Sequence, residues 1–180
     1  MDSAIIKVRY KGKNIAIVGM PGCFKSTVGK VLSKTLEQMS FLDTDYFYEK
    51  KFGITIPQTF ETLGEDIFRQ RETEVITEAV LTPRMIIATG GGSVLKEANR
   101  KILRDNCVVV ELAASVSTIF SRIKNSDRRP LLKQLSLEAL TDLYNSREQL
   151  YKETAHIRIF TDNKHPRYIA RELLAKICDD

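Results

Sequence analysis

The sequence predicts an α/β fold built around a largely parallel sheet, and three observations carry that prediction. Short apolar runs alternate along the chain with longer stretches whose apolar residues recur three and four apart. This alternation is what successive strand-helix-strand units produce. The first apolar run ends in a glycine-containing turn, and the third runs directly into three consecutive glycines. Glycines at the ends of buried strands are the usual junctions of such folds.

Taken in order, "NIAIV" (14–18) reads as a buried strand leading into the turn "GMPGCFK". A helix is expected from Lys25 through "TVGKVLSKTLEQM", and "SFLDTD" (40–45) is a second short strand with acids at its end. Residues 57–81 carry a helical period and should break at Gly64. "MIIA" (85–88) is a third strand, "KEANRKIL" a helix and "CVVVEL" a fourth strand. "SVSTIFSRI" is a helix that Ser115 can cap. The polar, proline-containing stretch 124–136 is a loop, followed by a long helix over 137–153 and the strand "IRIF". A closing helix starts at Pro166, a residue suited to a first helical turn. The segment "IIKVRY" ahead of Lys11 has the composition of an extra edge strand.

At 180 residues, with no linker, repeat or low-complexity stretch, the chain is expected to form one domain. The apolar runs are too short to span a bilayer, and the N-terminus "MDSAIIKVRYKGK" has no signal-peptide pattern. Three cysteines, Cys23, Cys107 and Cys178, lack metal-ligand spacing and fit reduced thiols in a cytoplasm. The net charge of +5 suits small acidic ligands. No basic arm, zinc-finger spacing or RNA-binding aromatic signature accompanies it, which argues against a nucleic-acid partner.

The turn at Gly19 follows G-x-x-x-x-G-K-[ST] except at one position, where Phe24 replaces the glycine before Lys25. A strand, this loop and a helix N-terminus together direct backbone N–H groups at a phosphate. Lys25 would reach the β- and γ-phosphates and the Ser26 hydroxyl would ligate Mg²⁺. Against this stands a turn that merely joins strand to helix. "LDTD" puts Asp43 and Asp45 at a strand's carboxyl end, where open parallel sheets bind ligands. One acid suits Mg²⁺ and the other a substrate hydroxyl, while Asp45 also reads as a plain N-cap. Gly90, Gly91 and Gly92 would let backbone approach a ligand closely. Arg69 and Arg147 read, taken singly, as solvated helix charges, and His156 and His165 have no partner in sequence. Cys23, next to a helix start, is either a thiol of lowered pKa or a small filler. Tyr144 and Tyr151 share a helix face and read as core.

In this order the phosphate loop, "FLDTDYFYEKKFGITIPQTFETLGEDIFRQRE", "IIATGGGSV", "RRPLL" and "REQLY" resemble the shikimate kinase family, from about residue 14 to 178. The resemblance implies a doubly wound sheet of five parallel strands in the order 2-3-1-4-5, with helices on both sides and a mobile lid over 124–136. It implies a cytoplasmic, monomeric enzyme that moves the γ-phosphoryl group of ATP to the 3-hydroxyl of shikimate, with Mg²⁺ as cofactor. Gly22, Cys23, Phe24, Lys25, Ser26 and Thr27 would wrap the phosphates, with Arg129 of the lid closing on them. Arg122 and Lys164 would border the adenine. Ser26 and, through water, Asp43 would hold Mg²⁺. Asp45 would orient the reacting hydroxyl, Arg69 and Arg147 would grip the carboxylate, and Gly90, Gly91 and Gly92 would bring backbone to the substrate. Residues 1–13 extend beyond the family's usual start and carry no assigned role.

Phe24 is the departure from the family pattern. Forcing a bulky residue to positive φ costs on the order of 1–3 kcal/mol, which a folded domain absorbs. A misdirected N–H donor is costlier to catalysis, on the order of 10²–10³ in rate. The expectation is therefore a distorted loop and a slow enzyme that glycine at position 24 would rescue. Two other readings stand beside the kinase: a non-catalytic binding protein with a damaged loop, and a related small-molecule kinase such as a gluconate kinase. The paired Arg69 and Arg147 with "DTD" favour a hydroxylated ring carboxylate.

Overall fold

The computed structural model describes residues 12–125 and 133–177. Its strands are β1 (Asn14–Val18), β2 (Ser40–Asp43), β3 (Met85–Ala88), β4 (Cys107–Ala113) and β5 (Ile157–Phe160). Its helices are α1 (Lys25–Thr35), α2 (Thr44–Phe52), α3 (Ile56–Thr62), α4 (Gly64–Leu81), α5 (Glu97–Asn106), α6 (Val116–Lys124), α7 (Leu137–Thr154) and α8 (Pro166–Ile177). The strands form one sheet, β2-β3-β1-β4-β5, and every pairing is parallel. The expected order and class hold. The edge strand expected over "IIKVRY" and the inner part of the expected lid, including Arg129, lie outside the described residues.

The central strands are apolar without alternation because both faces are covered. All of β1, β3 and β4 is buried, whereas the edge strand β2 is half open. Helices α1 and α8 pack together, and α4, α5 and α7 form a second group. Asn14 pins the layers at the start of β1. Its side chain donates to the carbonyls of Val80 and Thr82 and accepts from the Met85 N–H at 2.9 Å, so this buried amide is fully used.

A second, smaller core of Tyr48, Phe68 and Val75 lies under α2, α3 and α4. Thr55 and Gln58 cap α3 reciprocally, and the chain turns at Gly64 (φ +82°) into α4, as the sequence predicts. This aromatic cluster seats the helices that carry Asp45 and Arg69. One local expectation is corrected. Asp43, not Asp45, caps α2: its side chain accepts from the Asp45 N–H at 3.1 Å, which leaves Asp45 in the first helical turn.

Glu111, on β4, is 3% exposed and faces Arg158 on β5, with Oε2 to Nε at 3.1 Å. Neither of those two atoms makes an aligned hydrogen bond, so the pair compensates burial poorly. Burial pushes the Glu111 carboxyl up to about 6, against the opposing pull of Arg158. A raised acid binds its proton more tightly in the folded chain. Its stabilisation is full below about 4.5 and is lost as pH rises through about 6. Denaturant melts of the wild type and Glu111→Gln should therefore diverge with rising pH, the wild type losing roughly 2 kcal/mol relative to the variant. A pH-independent difference would contradict this assignment.

Candidate active site

Because all five strands are parallel, their carboxyl ends share one edge, and the loops leaving β1, β2 and β3 meet there. The loop after β1 wraps the side chain of Lys25, which is 5% exposed and donates from Nζ to the carbonyls of Gly19 (2.8 Å) and Met20 (3.0 Å). The Cys23 N–H closes a turn onto the Met20 carbonyl. Helix α1 then starts at Lys25, and the first-turn N–H groups of any helix have no acceptor within the helix itself. This is a phosphate-binding geometry rather than a plain joining turn.

Phe24 takes the conformation a glycine would take, with φ +66° and ψ +19°. That positive φ is the strained conformation the sequence reading expects of a bulky residue at this position. The ring lies against the Arg122 guanidinium, whose Cζ is 3.9 Å from the ring centroid. Cys23 is a filler: burial, the dominant effect, pushes its thiol up to about 11 despite nearby Lys25 and Arg122.

Next to the loop, the Ser26 hydroxyl donates to Asp43 Oδ2 at 2.5 Å. This brings together two hard oxygen donors at the start of α1, a set that suits Mg²⁺, which keeps most of its waters. Among the described residues no group of three His, Cys, Asp or Glu side chains forms a denser metal cluster.

The three glycines after β3 are the hub of the site, because each is approached by a different functional group. A β-carbon at Gly90 would stand 2.7 Å from Asp45 Oδ1, and one at Gly92 would stand 2.7 Å from Arg69 Nη1. Without a β-carbon at either position, both side chains can lie directly against the backbone. Gly91 lies against Pro21 of the phosphate loop, and its carbonyl accepts from Arg147 Nη1 (3.3 Å) and from the Tyr151 hydroxyl. Asp45, Arg69, Arg147 and the phosphate loop thus converge on three consecutive residues, Gly90, Gly91 and Gly92.

Sequence reasoning missed the groups that hold this hub. Glu72 is buried, accepting from Arg69 Nη1 (2.8 Å) and from the Ser93 hydroxyl (2.8 Å). Thr44 Oγ1 accepts from the Gly90 N–H at 3.0 Å. Tyr151 is core, as expected, but it also uses its hydroxyl on Gly91. The three-residue spacing of Arg69 and Glu72 on one helix is a readable signal; Ser93 and Thr44 carry none.

A separate cleft of about 430 Å³ opens from Phe24, lined by Thr118, Ser121, Arg122, Asn163 and Lys164. Arg122 donates to the carbonyl of Gly22 (3.1 Å) and to Thr161 Oγ1 (2.9 Å) and O (2.7 Å). Lys164 pairs with Glu172 at 2.7 Å. Thr27 lines a smaller pocket of about 270 Å³ with Ser26 and Lys30.

Residues 21–178 match the family model described as "Shikimate kinase". A shikimate kinase of Nitrosospira multiformis is 41% identical over 165 residues, covering 91% of this chain and 84% of its own length. One from Marinomonas is 41% identical over 170 residues, covering 93% of each. Among solved structures, shikimate kinase from Acinetobacter baumannii in complex with shikimate superposes with a TM-score of 0.85 at 37% identity, covering 92% of this chain and 93% of that one. A gluconokinase from Sinorhizobium meliloti shares the fold at 18% identity and a TM-score of 0.58.

Proposed function

The chain belongs to the shikimate kinase family, whose members are ATP-dependent kinases, and we propose that it phosphorylates the 3-hydroxyl of shikimate with the residues gathered around the glycine hub. The observation that carries this reading is the convergence of Asp45, Arg69 and Arg147 on Gly90–Gly92, beside a loop built for phosphate. An acid and two guanidinium groups in that arrangement fit a small ring that carries both hydroxyls and a carboxylate. A non-catalytic binder, the second reading, would bind shikimate yet release no ADP, and turnover with shikimate separates the two.

Arg69 and Arg147 grip the carboxylate, with Glu72 fixing the Arg69 fork. Asp45 receives and orients the hydroxyl that attacks. Gly22 to Thr27 wrap the phosphates, Lys25 neutralises their charge, and Arg129 adds a further cation. Ser26 directly and Asp43 through water would hold Mg²⁺. Mg²⁺ held there would supply positive charge against the negative charge that develops in phosphoryl transfer. Arg122 and Lys164 border the base. Among the described residues no helix is long and apolar enough to cross a membrane, and the unpaired Cys23 and Cys107 support a cytoplasmic setting.

The test is substrate-specific binding. Arg69→Lys and Arg147→Lys should each weaken shikimate about 10- to 100-fold, the equivalent of roughly 1.5–3 kcal/mol for a lost charge-assisted pair. ATP affinity should stay within about twofold, because neither guanidinium belongs to the phosphate loop. ATP and shikimate affinities falling together would refute the substrate assignment, as would wild-type ADP release that shikimate does not accelerate.

A further inference from the structure

Phe24 stands at a position where a side chain is penalised. It is one of three non-glycine residues with positive φ among the described residues, with Arg84 and Asn163. A bulky residue there costs about 1–2 kcal/mol. Something must offset the cost, and the ring has one distinctive contact, the guanidinium of Arg122 at 3.9 Å.

Arg122 is tied at its edges. Its hydrogen bonds run to Gly22 O, Thr161 Oγ1 and Thr161 O, all of which must lie near the guanidinium plane. What remains to it are its two flat faces. The Phe24 ring lies against the guanidinium, and both residues line the cleft that opens beside the phosphate loop. The cleft starts at Phe24, one residue before Lys25. A guanidinium held flat in this way is a stacking surface for a planar aromatic ligand.

On the reading that this cleft takes the nucleotide base, we propose that Phe24 is a nucleotide-positioning residue: its ring seats the Arg122 guanidinium so that the base stacks on the guanidinium's other face. The phenyl ring then contributes to base binding without touching phosphate. Its φ strain is offset by the cation–π contact and by burial of the ring edge. Glycine at position 24 would relieve the backbone yet release Arg122 from its seat. The expected effect of Phe24→Gly is therefore weaker nucleotide binding, opposite to a rescue.

The experiment is calorimetric titration of the full chain with ADP and, separately, with tripolyphosphate, both with Mg²⁺ and without shikimate. Tripolyphosphate reports the phosphate loop alone; ADP adds the base. Phe24→Gly should weaken ADP about 5- to 30-fold, several times more than it changes tripolyphosphate binding, while Phe24→Tyr, which keeps the ring, should lose less ADP affinity than Phe24→Gly does. Combined with Arg122→Ala, Phe24→Gly should add no further loss, since both substitutions remove one stack. Unchanged or tighter ADP binding in Phe24→Gly, parallel changes for both ligands, or additive losses in the double variant would each overturn the proposal. Failure of the wild type to bind ADP would overturn the kinase reading and the proposal together. Wild-type ADP binding with no shikimate-dependent turnover would overturn the substrate reading alone, and the Phe24 result would still decide this proposal.

Discussion

Replacing Asp45 with asparagine is expected to lower kcat about 10²- to 10⁴-fold, the range that a positioned acid–base group contributes. The variant keeps the size of the side chain and one acceptor oxygen, but it can neither take a proton nor carry charge. The fold should be indifferent, because the cap of α2 is Asp43 and the Asp45 backbone N–H is the capped group. Shikimate KM should change by less than about tenfold, since the carboxylate grip rests on Arg69 and Arg147. Steady-state kinetics with coupled ADP detection measures both constants, and matched melting curves exclude unfolding. A kcat within about tenfold of wild type would show that Asp45 does not handle the reacting hydroxyl. Asp43→Asn should behave differently: it touches Ser26, and its effect should appear as a higher Mg²⁺ requirement.

The fold was legible because strand positions buried on both faces leave uninterrupted apolar runs, and because the breaks fall at residues with a mechanical reason to break. Ser115 caps α6, Pro166 starts α8 and Gly64 turns with φ +82°. The phosphate loop and the three glycines were legible for the same reason: local backbone geometry is written in adjacent residues. The clamp was not. Arg69 and Arg147 sit on α4 and α7 with the helical spacing of ordinary surface charges, and only tertiary contact with Gly92 and Gly91 separates them from solvated ones. Asp43 and Asp45 show the limit most sharply. Two acids two residues apart at a strand end can each cap a helix or serve a ligand, and the choice depends on where α2 begins.

Phe24 shows a related limit. Adjacent residues report that a benzyl side chain occupies a glycine position, and this local fact predicts distortion. The partner that makes the position tolerable, Arg122, comes from α6, on the far side of β4 in the chain. Strain is visible in a local sequence pattern, whereas its compensation often is not.

Lys25→Met is expected to reduce kcat/KM for ATP by about 10²- to 10³-fold or more, the cost of deleting one preorganised charge from a phosphoryl-transfer site. The ammonium is nearly buried, and in this state it donates to the carbonyls of Gly19 and Met20. Phosphate oxygens carry more charge than amide carbonyls, so nucleotide binding exchanges weak partners for strong ones at little cost in reorganisation. Methionine retains the length and the apolar stem but leaves both carbonyls without that donor. Some loss of loop order is therefore built into the variant, and the two effects must be separated. Shikimate binding separates them. Gly91 lies against Pro21, so a collapsed loop would displace the glycine hub and weaken shikimate by a similar factor. If the charge is what matters, shikimate affinity measured without nucleotide stays within about threefold of wild type while ATP turnover falls. Parallel loss of both would mean that Lys25 acts mainly as a strut for the loop, and that the phosphate charge is met by other cations.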